Sequence, residues 1–282
     1  MKSFNEIYEK IHKESYEELE KIRKDRAKKS KIFLVIAIIA FVIVSSFTKG
    51  YFAFIFVVFM IVLIIGISIN KSKFTPLFKE KVVKPFIKNI DENLEYFPNQ
   101  GMSSTIYKQG EFESYDNYRS EDLIQGTLDN KYKVQMAEVH TEDESTDSEG
   151  NTTTTTIFWG IFGNVDCAKN IQTSLKIRSD KGVFGKMFKG KTKIEMDSQE
   201  FEKYFDIYGE NKIIAMQILT ADVMNTMIEF RKQSKIQYEL TIKQDQIYIR
   251  FHTGRSIWAK FVQKCTGFRY AKKILWYNRI HF

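Results

Sequence analysis

The chain has 282 residues, of which 43% are apolar, 15% are aromatic and three are prolines, and this composition excludes a largely disordered protein. Its two cysteines, Cys167 and Cys265, exclude a disulfide framework and a zinc site made of paired cysteines. The net charge of +8 is concentrated in residues 255–282, which hold seven basic residues and no acidic one. We therefore expect no nucleic-acid partner for the rest of the chain.

Residues 1–31 are predicted to be a cytosolic amphipathic helix. Apolar side chains recur on one stripe at helical spacing, and Glu and Lys occupy most other positions. The stripe consists of Phe4, Ile7, Ile11, Leu19 and Ile22. A coiled coil with a partner is an alternative, although the segment holds fewer than three clean heptads.

Two uncharged apolar runs follow, from Ile32 to Phe47 and from Tyr51 to Ile69. They span roughly 24 Å and 28 Å as helices, against a hydrocarbon core of about 30 Å. Residues 32–69 are therefore predicted to be a transmembrane helical hairpin. A cleaved signal peptide is one alternative, but the polar lead before the first run is too long for it. A helix pair buried in a soluble core is the other.

The positive charges predict the topology, because Lys and Arg next to a membrane span resist translocation. Both flanks of the hairpin are rich in them, whereas the connector holds Lys49 alone. The flanking residues are Lys21, Arg23, Lys24, Arg26, Lys28, Lys29 and Lys31 before the hairpin and Lys71, Lys73, Lys79, Lys81, Lys84 and Lys88 after it. The pattern predicts a multi-pass protein of the inner membrane with both termini in the cytoplasm.

Residues 70–98 are predicted to be a membrane-proximal helix and linker, with a helix from Phe78 to Ile90 that bends or restarts near Pro85. Residues 99–254 are predicted to be one cytosolic α+β domain of antiparallel β-hairpins with a few helices. The fold class is therefore α+β, with an N-terminal transmembrane hairpin before the domain.

Alternating and turn-forming residues locate the hairpins of this domain. Runs at 123–128 and 132–142 flank Asp129-Asn130-Lys131, and a polar stretch with Gly150-Asn151 precedes the apolar run 157–165. In the second run, Val134, Met136 and Val139 are expected on one face and Lys133, Gln135 and Glu138 on the other. A further hairpin is predicted from 236–242 and 246–251 around residues 243–245.

Two helices of the domain carry start signals. Ser198 precedes a Glu-Phe-Glu sequence, and Thr220 precedes Asp222 in a first turn. Leu219, Val223, Met227 and Phe230 are expected to form the apolar face of the second helix.

The order of these elements and several local strings resemble a bacterial membrane-protein family known only as a domain of unknown function (domain of unknown function 3137). The strings are Phe78 to Ile87, Gly110 to Asp122, Ala137 to His140, Phe158 to Phe162, Phe201 to Phe205 and Ile218 to Thr220. The resemblance implies the architecture and, through similar proteins, a LemA-like membrane protein as partner. It implies no functional residues.

The resemblance is expected to end near Gly254, because residues 255–282 change abruptly in composition. A frameshifted reading is the preferred interpretation of this atypical basic tail, because the family's ends resemble an acidic amphipathic helix. A genuine basic and aromatic tail lying on the inner leaflet is the alternative.

The chemistry-bearing residues are sparse, and no cofactor, metal or catalytic site is predicted. His140 has Glu138 and Glu142 two residues to either side, so a strand would place all three on one face. An acid/base pair or a metal site there is the enzymatic alternative, whereas a polar outward-facing strand edge is the simpler interpretation.

One loop predicts a membrane-surface contact, because lysines alternate with apolar residues and no acid interrupts them. Its candidate contact residues are Lys181, Phe184, Lys186, Phe188, Lys189 and Lys191. Such a segment can rest aromatic rings in the interface and lysines on anionic headgroups; a surface loop without lipid contact is the alternative.

Together these features predict a membrane-anchored cytosolic binding or scaffold module that contacts a protein partner or anionic lipid. The alternative is a membrane-bound hydrolase or metal-dependent enzyme that uses the His140 strand. An exposed groove would favour the binding module, and converging titratable groups in a pocket would favour the enzyme.

Overall fold

The computed structural model describes residues 4–47, 56–61, 74–179 and 192–254. The chain divides into two compact units, residues 1–86 and 87–282. The second unit is α+β, as the sequence predicts, and its described strands form one antiparallel sheet of seven strands in the order β1-β2-β3-β4-β6-β5, with β7 also paired to β4. The strands are β1 (Leu94–Phe97), β2 (Asn117–Leu128), β3 (Tyr132–Thr146), β4 (Thr152–Arg178), β5 (Thr192–Ile194), β6 (Asp206–Gly209) and β7 (Gln237–His252).

The described helices lie before, between and after the strands. They are α1 (Phe4–Phe47), α2 (Phe74–Phe78), α3 (Lys84–Ile90), α4 (Ser104–Gln109), α5 (Gln199–Tyr204), α6 (Lys212–Ile218) and α7 (Ala221–Ser234), with a π-helical turn at Lys79–Val83 and a helical stretch at residues 56–61.

α1 joins the predicted N-terminal helix and the first apolar run into one continuous helix. Nine apolar side chains along its C-terminal part are between 43% and 60% exposed. They are Ile32, Leu34, Val35, Ile36, Ile38, Ile39, Val42, Ile43 and Val44. The ring of Phe41 packs against Phe56 and Phe59, at 6.1 Å and 4.8 Å between centroids, so the two apolar runs contact each other.

No single helix among the described residues has both the length and the hydropathy to cross a membrane, while α6 and α7, bent by 69° at their junction, pass that test as a pair. Both helices of this pair bury side chains in the domain core, including Ala215 and Ile228. Much of the second predicted span lies outside the described residues, so the transmembrane hairpin stays a prediction.

The predicted irregularity near Pro85 is a π-helical turn. Lys84 donates its backbone N–H to the carbonyl of Lys79, five residues earlier, and α3 continues through Pro85. Proline has no N–H to donate, and its ring crowds the preceding turn of a regular α-helix. The wider π-helical turn immediately before Pro85 lets the helix continue through it.

The first two predicted hairpins are present, as the strand pairs β2–β3 and β3–β4. Asp129 and Asn130 both have positive φ in the β2–β3 turn, and Gly150 has φ +84° at the tip between β3 and β4. The five threonines of β4 pair with the acidic end of β3 in the hairpin arm, from Glu142 opposite Thr156 to Thr146 opposite Thr152.

The prediction of a further hairpin from residues 236–242 and 246–251 is wrong. Both runs belong to the single strand β7, which pairs antiparallel with β4 along its length. Gln244 has φ +56°, and the register shifts on β4 between Asp166 and Ser174. The polar residues at 243–245 therefore mark an irregularity within one strand, because β4 provides a partner long enough to pair both halves.

The predicted helix starts are confirmed. Ser198 accepts a hydrogen bond from the Phe201 N–H, and Thr220 accepts one from the Val223 N–H. Met227 and Ile228 of α7 and Phe201 of α5 are buried in a core cluster with Leu175, Ile177, Tyr238, Leu240 and Ile242 of the sheet. One sheet face is thus packed by α5, α6 and α7.

Candidate functional site

A segment that we call the strap, Gly110–Asp116, packs on the opposite sheet face. Thr241 Oγ1 donates to the Gly110 carbonyl at 2.7 Å, and the Asp116 N–H donates to the Glu142 carbonyl at 2.9 Å. Lys243 and Lys176 pair with Glu111. These bonds fasten the strap to β3, β4 and β7, and the strap is the first half of the Gly110 to Asp122 string quoted for the family resemblance.

Beneath the strap lies an ionic network centred on Arg250, which is 1% exposed. Its guanidinium donates to Glu239 at 2.7 Å and to the Tyr107 hydroxyl at 3.2 Å, and it also pairs with Glu113. Arg178 donates to the second oxygen of Glu239 at 3.0 Å. The two arginines and two glutamates balance in charge, which is the condition for burying ions at tolerable cost.

Electrostatics in this network favour the charged forms of Arg250 and Glu113. Burial opposes the charge on Arg250, but the carboxylates of Glu239 and Glu113 raise its pKa. Burial likewise opposes ionisation of Glu113, but Arg250 lowers its pKa below the usual 4.5. Burial and then Arg250 lower the pKa of the neighbouring His252 below 6.5. The network therefore has the properties of a structural ion cluster, with its arginines already paired.

Phe112 of the strap covers Arg250, with the guanidinium carbon 4.3 Å from the ring centroid. A cation over an aromatic face is stabilised by the ring's quadrupole, more so away from water. Tyr107 contacts Phe112 and Phe162 in the same aromatic group, and its burial raises its pKa. The strap thus seals the network with aromatic rings.

A groove lies beside this sealed region. It is on the same sheet face, because side chains alternate between the two faces along β3, β4 and β7. Its volume is about 520 Å³, within the range of ligand sites. The lining residues are Asn93, Glu95, Gln125, Gly126, Thr127, Lys133, Val134, Gln135, Asn164, Asp166 and Gln246. All come from β1, β2, β3, β4, β7 and the residue preceding β1, so the pairing of the sheet fixes their positions.

Gly126 shapes one end of the groove. Its φ is +154°, and a Cβ there would lie 2.1 Å from the carbonyl oxygen of Asn93. A side chain at this position would force β1 away from β2, so the glycine keeps the edge strand close.

The predicted facing of β3 needs a correction. The ladder between β3 and β4 is unbroken from Val134 to Thr141, so strict alternation puts Val139 on the face of Gln135 and not on that of Val134. Val139 is fully buried on the sheet face that the strap covers, and Glu138 lies on the other face.

The structure does bring Glu138, His140 and Glu142 to one face, and each has a partner. Glu138 accepts the indole N–H of Trp159 at 3.0 Å, and His140 stacks on the Trp159 ring at 4.2 Å. Glu142 pairs with Arg119 at 2.9 Å. Burial lowers the pKa of His140. Within the described residues no group of His, Cys, Asp and Glu side chains is arranged to hold a metal ion.

The predicted membrane-contact residues Lys181, Phe184, Lys186, Phe188, Lys189 and Lys191 lie outside the described residues, as do the connector with Lys49 and the tail from residue 255.

Sequence reasoning missed both the ionic network and the groove. Arg250 sits in an alternating strand, where a charged residue normally faces water, and nothing local distinguishes it from Lys243. The amides of the groove are far apart in the chain, from Gln125 to Gln246, and only the strand register makes them neighbours. The strap could be found from the sequence, because the Gly110 to Asp122 string is one of those that carry the family resemblance.

Comparisons with known proteins add two findings. A crystal structure of the mycobacterial trehalose monomycolate transport factor A, TtfA, is similar with a TM-score of 0.38 and 7% identity, covering 65% of this chain and 87% of that chain. No curated protein matches the chain.

A family model described as "Protein of unknown function (DUF3137)" matches residues 156–276. The matched range starts after the strap, and it extends past Gly254. The expectation that the family resemblance ends at Gly254 is therefore wrong, and this removes one ground for reading the tail as frameshifted. The match covers less than half of the chain, which is therefore similar to this family of unknown function over residues 156–276.

Proposed function

We propose that this protein is a membrane-anchored binding module, in which the groove on the sheet is the binding surface. The observation that carries the proposal is the groove itself, a concave site of about 520 Å³ whose lining side chains come from five paired strands and the residue before β1. Sites on strands hold their side chains in place better than sites on loops, so a ligand meets a preorganised surface.

The membrane anchor is proposed from residues 32–69. The apolar side chains of α1 that are half exposed form a continuous stretch, and the ring of Phe41 contacts Phe56 and Phe59 of the second run. A large exposed apolar surface is unfavourable in water and typical of a membrane or protein contact. The flanking lysines support a cytoplasmic location of both termini.

Topology is tested by single cysteines at positions 20, 50 and 150 in full-length protein whose Cys167 and Cys265 are replaced by serine. We expect a membrane-impermeant reagent to label position 50 alone in intact cells. Labelling of position 150 from outside would overturn the proposed orientation.

Binding is tested with a photo-crosslinking amino acid at Gln135 in the full-length protein in native membranes. The matched control carries the same group at Gln233, which is exposed on α7 and outside the groove. A discrete adduct from position 135 that is absent from position 233 supports the binding module. Equal or absent adducts at both positions would refute the groove as the binding surface.

A further inference from the structure

Four amide side chains line the groove as a row, one from each of four strands. Gln125 lies opposite Gln135 in the β2–β3 ladder, and Gln135 lies opposite Asn164 in the β3–β4 ladder. Gln246 of β7 completes the row, because its Oε1 accepts a hydrogen bond from Asn164 Nδ2 at 2.6 Å. Neighbouring strands lie about 4.8 Å apart, so from Gln125 to Asn164 the row offers one amide group at each such step. The step to Gln246 is diagonal, because Gln246 lies opposite Asp166 in the β4–β7 ladder.

The row keeps hydrogen-bonding capacity for a ligand. Each primary amide has two donor hydrogens and an acceptor oxygen with two lone pairs. The bonds within the row join Asn164 to Gln246 and, at 3.4 Å, Gln135 to Gln125, and each uses one donor and one lone pair. Every one of the four amides therefore retains donors, acceptors or both.

The charged lining residues indicate which class of ligand the groove favours. The lining holds two carboxylates, Glu95 and Asp166, and one ammonium group, Lys133. An anionic ligand such as a phosphate would meet more negative than positive charge in the groove. The lining residues would therefore not attract it at long range. The four amides are neutral, which favours an uncharged polar ligand.

The lining also disfavours a peptide. Peptide affinity comes mainly from apolar or aromatic anchors in pockets, or from main-chain pairing at a sheet edge. Val134 is the one aliphatic residue longer than glycine among the lining residues, and its side chain lies on the face opposite to that of Gln135. The groove also lies on the face of paired strands, where the backbone N–H and C=O groups already bond to each other in the ladders.

We propose that the groove binds a neutral carbohydrate, and this inference rests on the groove being the binding surface. Hydroxyl groups donate and accept as amides do, and a planar amide such as that of Asn164 can bond two neighbouring hydroxyls of a sugar ring. A pyranose unit is about as long as the strand spacing, so successive sugar units meet successive amides. The volume of about 520 Å³ holds a short oligosaccharide.

The test uses full-length protein in nanodiscs and saturation-transfer NMR with maltotriose, cellotriose and chitotriose as probes. We expect saturable binding of at least one sugar, weakened roughly tenfold by Asn164→Leu and by Gln135→Leu, because each change removes hydrogen bonds to the sugar and a tenfold loss corresponds to about 1.4 kcal/mol. The control Gln233→Leu makes the same kind of change on an exposed helix surface and should bind as the parent does. A neutral glycolipid incorporated in vesicles tests whether a lipid-linked sugar binds better than the free one.

The outcomes separate the two proposals. Binding of free or lipid-linked sugar that both groove variants weaken supports the carbohydrate ligand and identifies its source. If no sugar binds, or if the variants bind like the control, the carbohydrate ligand is refuted. A protein adduct from position 135 in that case leaves the binding module standing with a different ligand, while the absence of any adduct refutes both.

Discussion

Beneath the strap, two arginines and two glutamates neutralise one another around the buried Arg250 and Glu239, whereas in the neighbouring groove the same sheet face presents neutral amides. The first region is sealed by the ring of Phe112 and the second is not covered by the described residues. Buried charges are expensive unless they are paired, so the covered region contributes to holding the strap in one place. Uncovered amides cost little in water and remain able to bind.

The largest effect is expected for Arg250→Met. The change leaves the buried Glu239 with Arg178 alone and removes the closest cation of the partly exposed Glu113, and breaking a buried pair from one side costs about 3 to 5 kcal/mol. Urea unfolding of full-length protein in a mild detergent measures the loss. The control Arg119→Met breaks a pair with Glu142 whose arginine is 72% exposed, and it should cost at most about 1 kcal/mol.

Equal losses in the two arginine variants would contradict the distinction between a sealed and an exposed ion pair. Glu239→Gln should lie between them, because the glutamine keeps one acceptor oxygen for Arg178 or Arg250 but loses the charge and the second acceptor oxygen.

The next effect concerns the seal itself. Phe112→Ala removes the ring that lies over the Arg250 guanidinium, and we expect a loss of about 2 kcal/mol from apolar burial and the cation–π contact together. Phe112→Leu, which keeps apolar bulk but no ring face, should recover part of it. A leucine variant as unstable as the alanine variant would show that the ring face, and not its bulk, stabilises the strap.

Acid should weaken the sealed region in two steps. His252 has a pKa below 6.5 in the fold, so the unfolded chain binds more protons as the pH falls through 6.5, and stability falls. Glu113, with a pKa below 4.5, contributes stability above that pH and loses it as the pH falls through its lower folded value.

His252→Gln should flatten the fall of the unfolding free energy between about pH 7 and pH 5.5 while leaving the more acidic step in place. His140, whose pKa burial also lowers, keeps part of the first step in this variant. The measurement is urea unfolding across the pH range. A slope unchanged by His252→Gln would assign the step to other groups.

The sequence predicts the local elements of this fold better than its sites. Turn residues such as Asn130 and Gly150 and caps such as Ser198 and Thr220 act within a few residues, and the structure has them where the sequence indicates. The strand β7 shows the limit of local reasoning. A polar interruption at Gln244 is typical of a turn, but the length of the partner strand β4 decided the pairing.

The candidate site could not be predicted for a similar reason. The predicted faces of Glu138 and Val139 are wrong, because strict alternation along β3 exchanges them. The row from Gln125 to Gln246 depends on three separate registers. A register shifted by one residue would turn each of these amides to the opposite face. Long-range pairing is therefore the information that the residues near each amide do not contain.

The smallest effect on stability is expected in the groove, for Gln135→Ala. Its side chain is half-buried and has one hydrogen bond, a long one of 3.4 Å to Gln125, so the change should alter the free energy of unfolding by less than about 0.5 kcal/mol. Urea unfolding of Gln135→Ala and Arg250→Met under the same conditions measures both losses of unfolding free energy on one scale. A loss from Gln135→Ala that approaches the loss from Arg250→Met would mean that the amide row supports the sheet as the ion network does. A negligible loss would leave ligand binding as the property that depends on the amide at this position, because a side chain that does not stabilise the fold can still fix the orientation of a hydroxyl group in the groove.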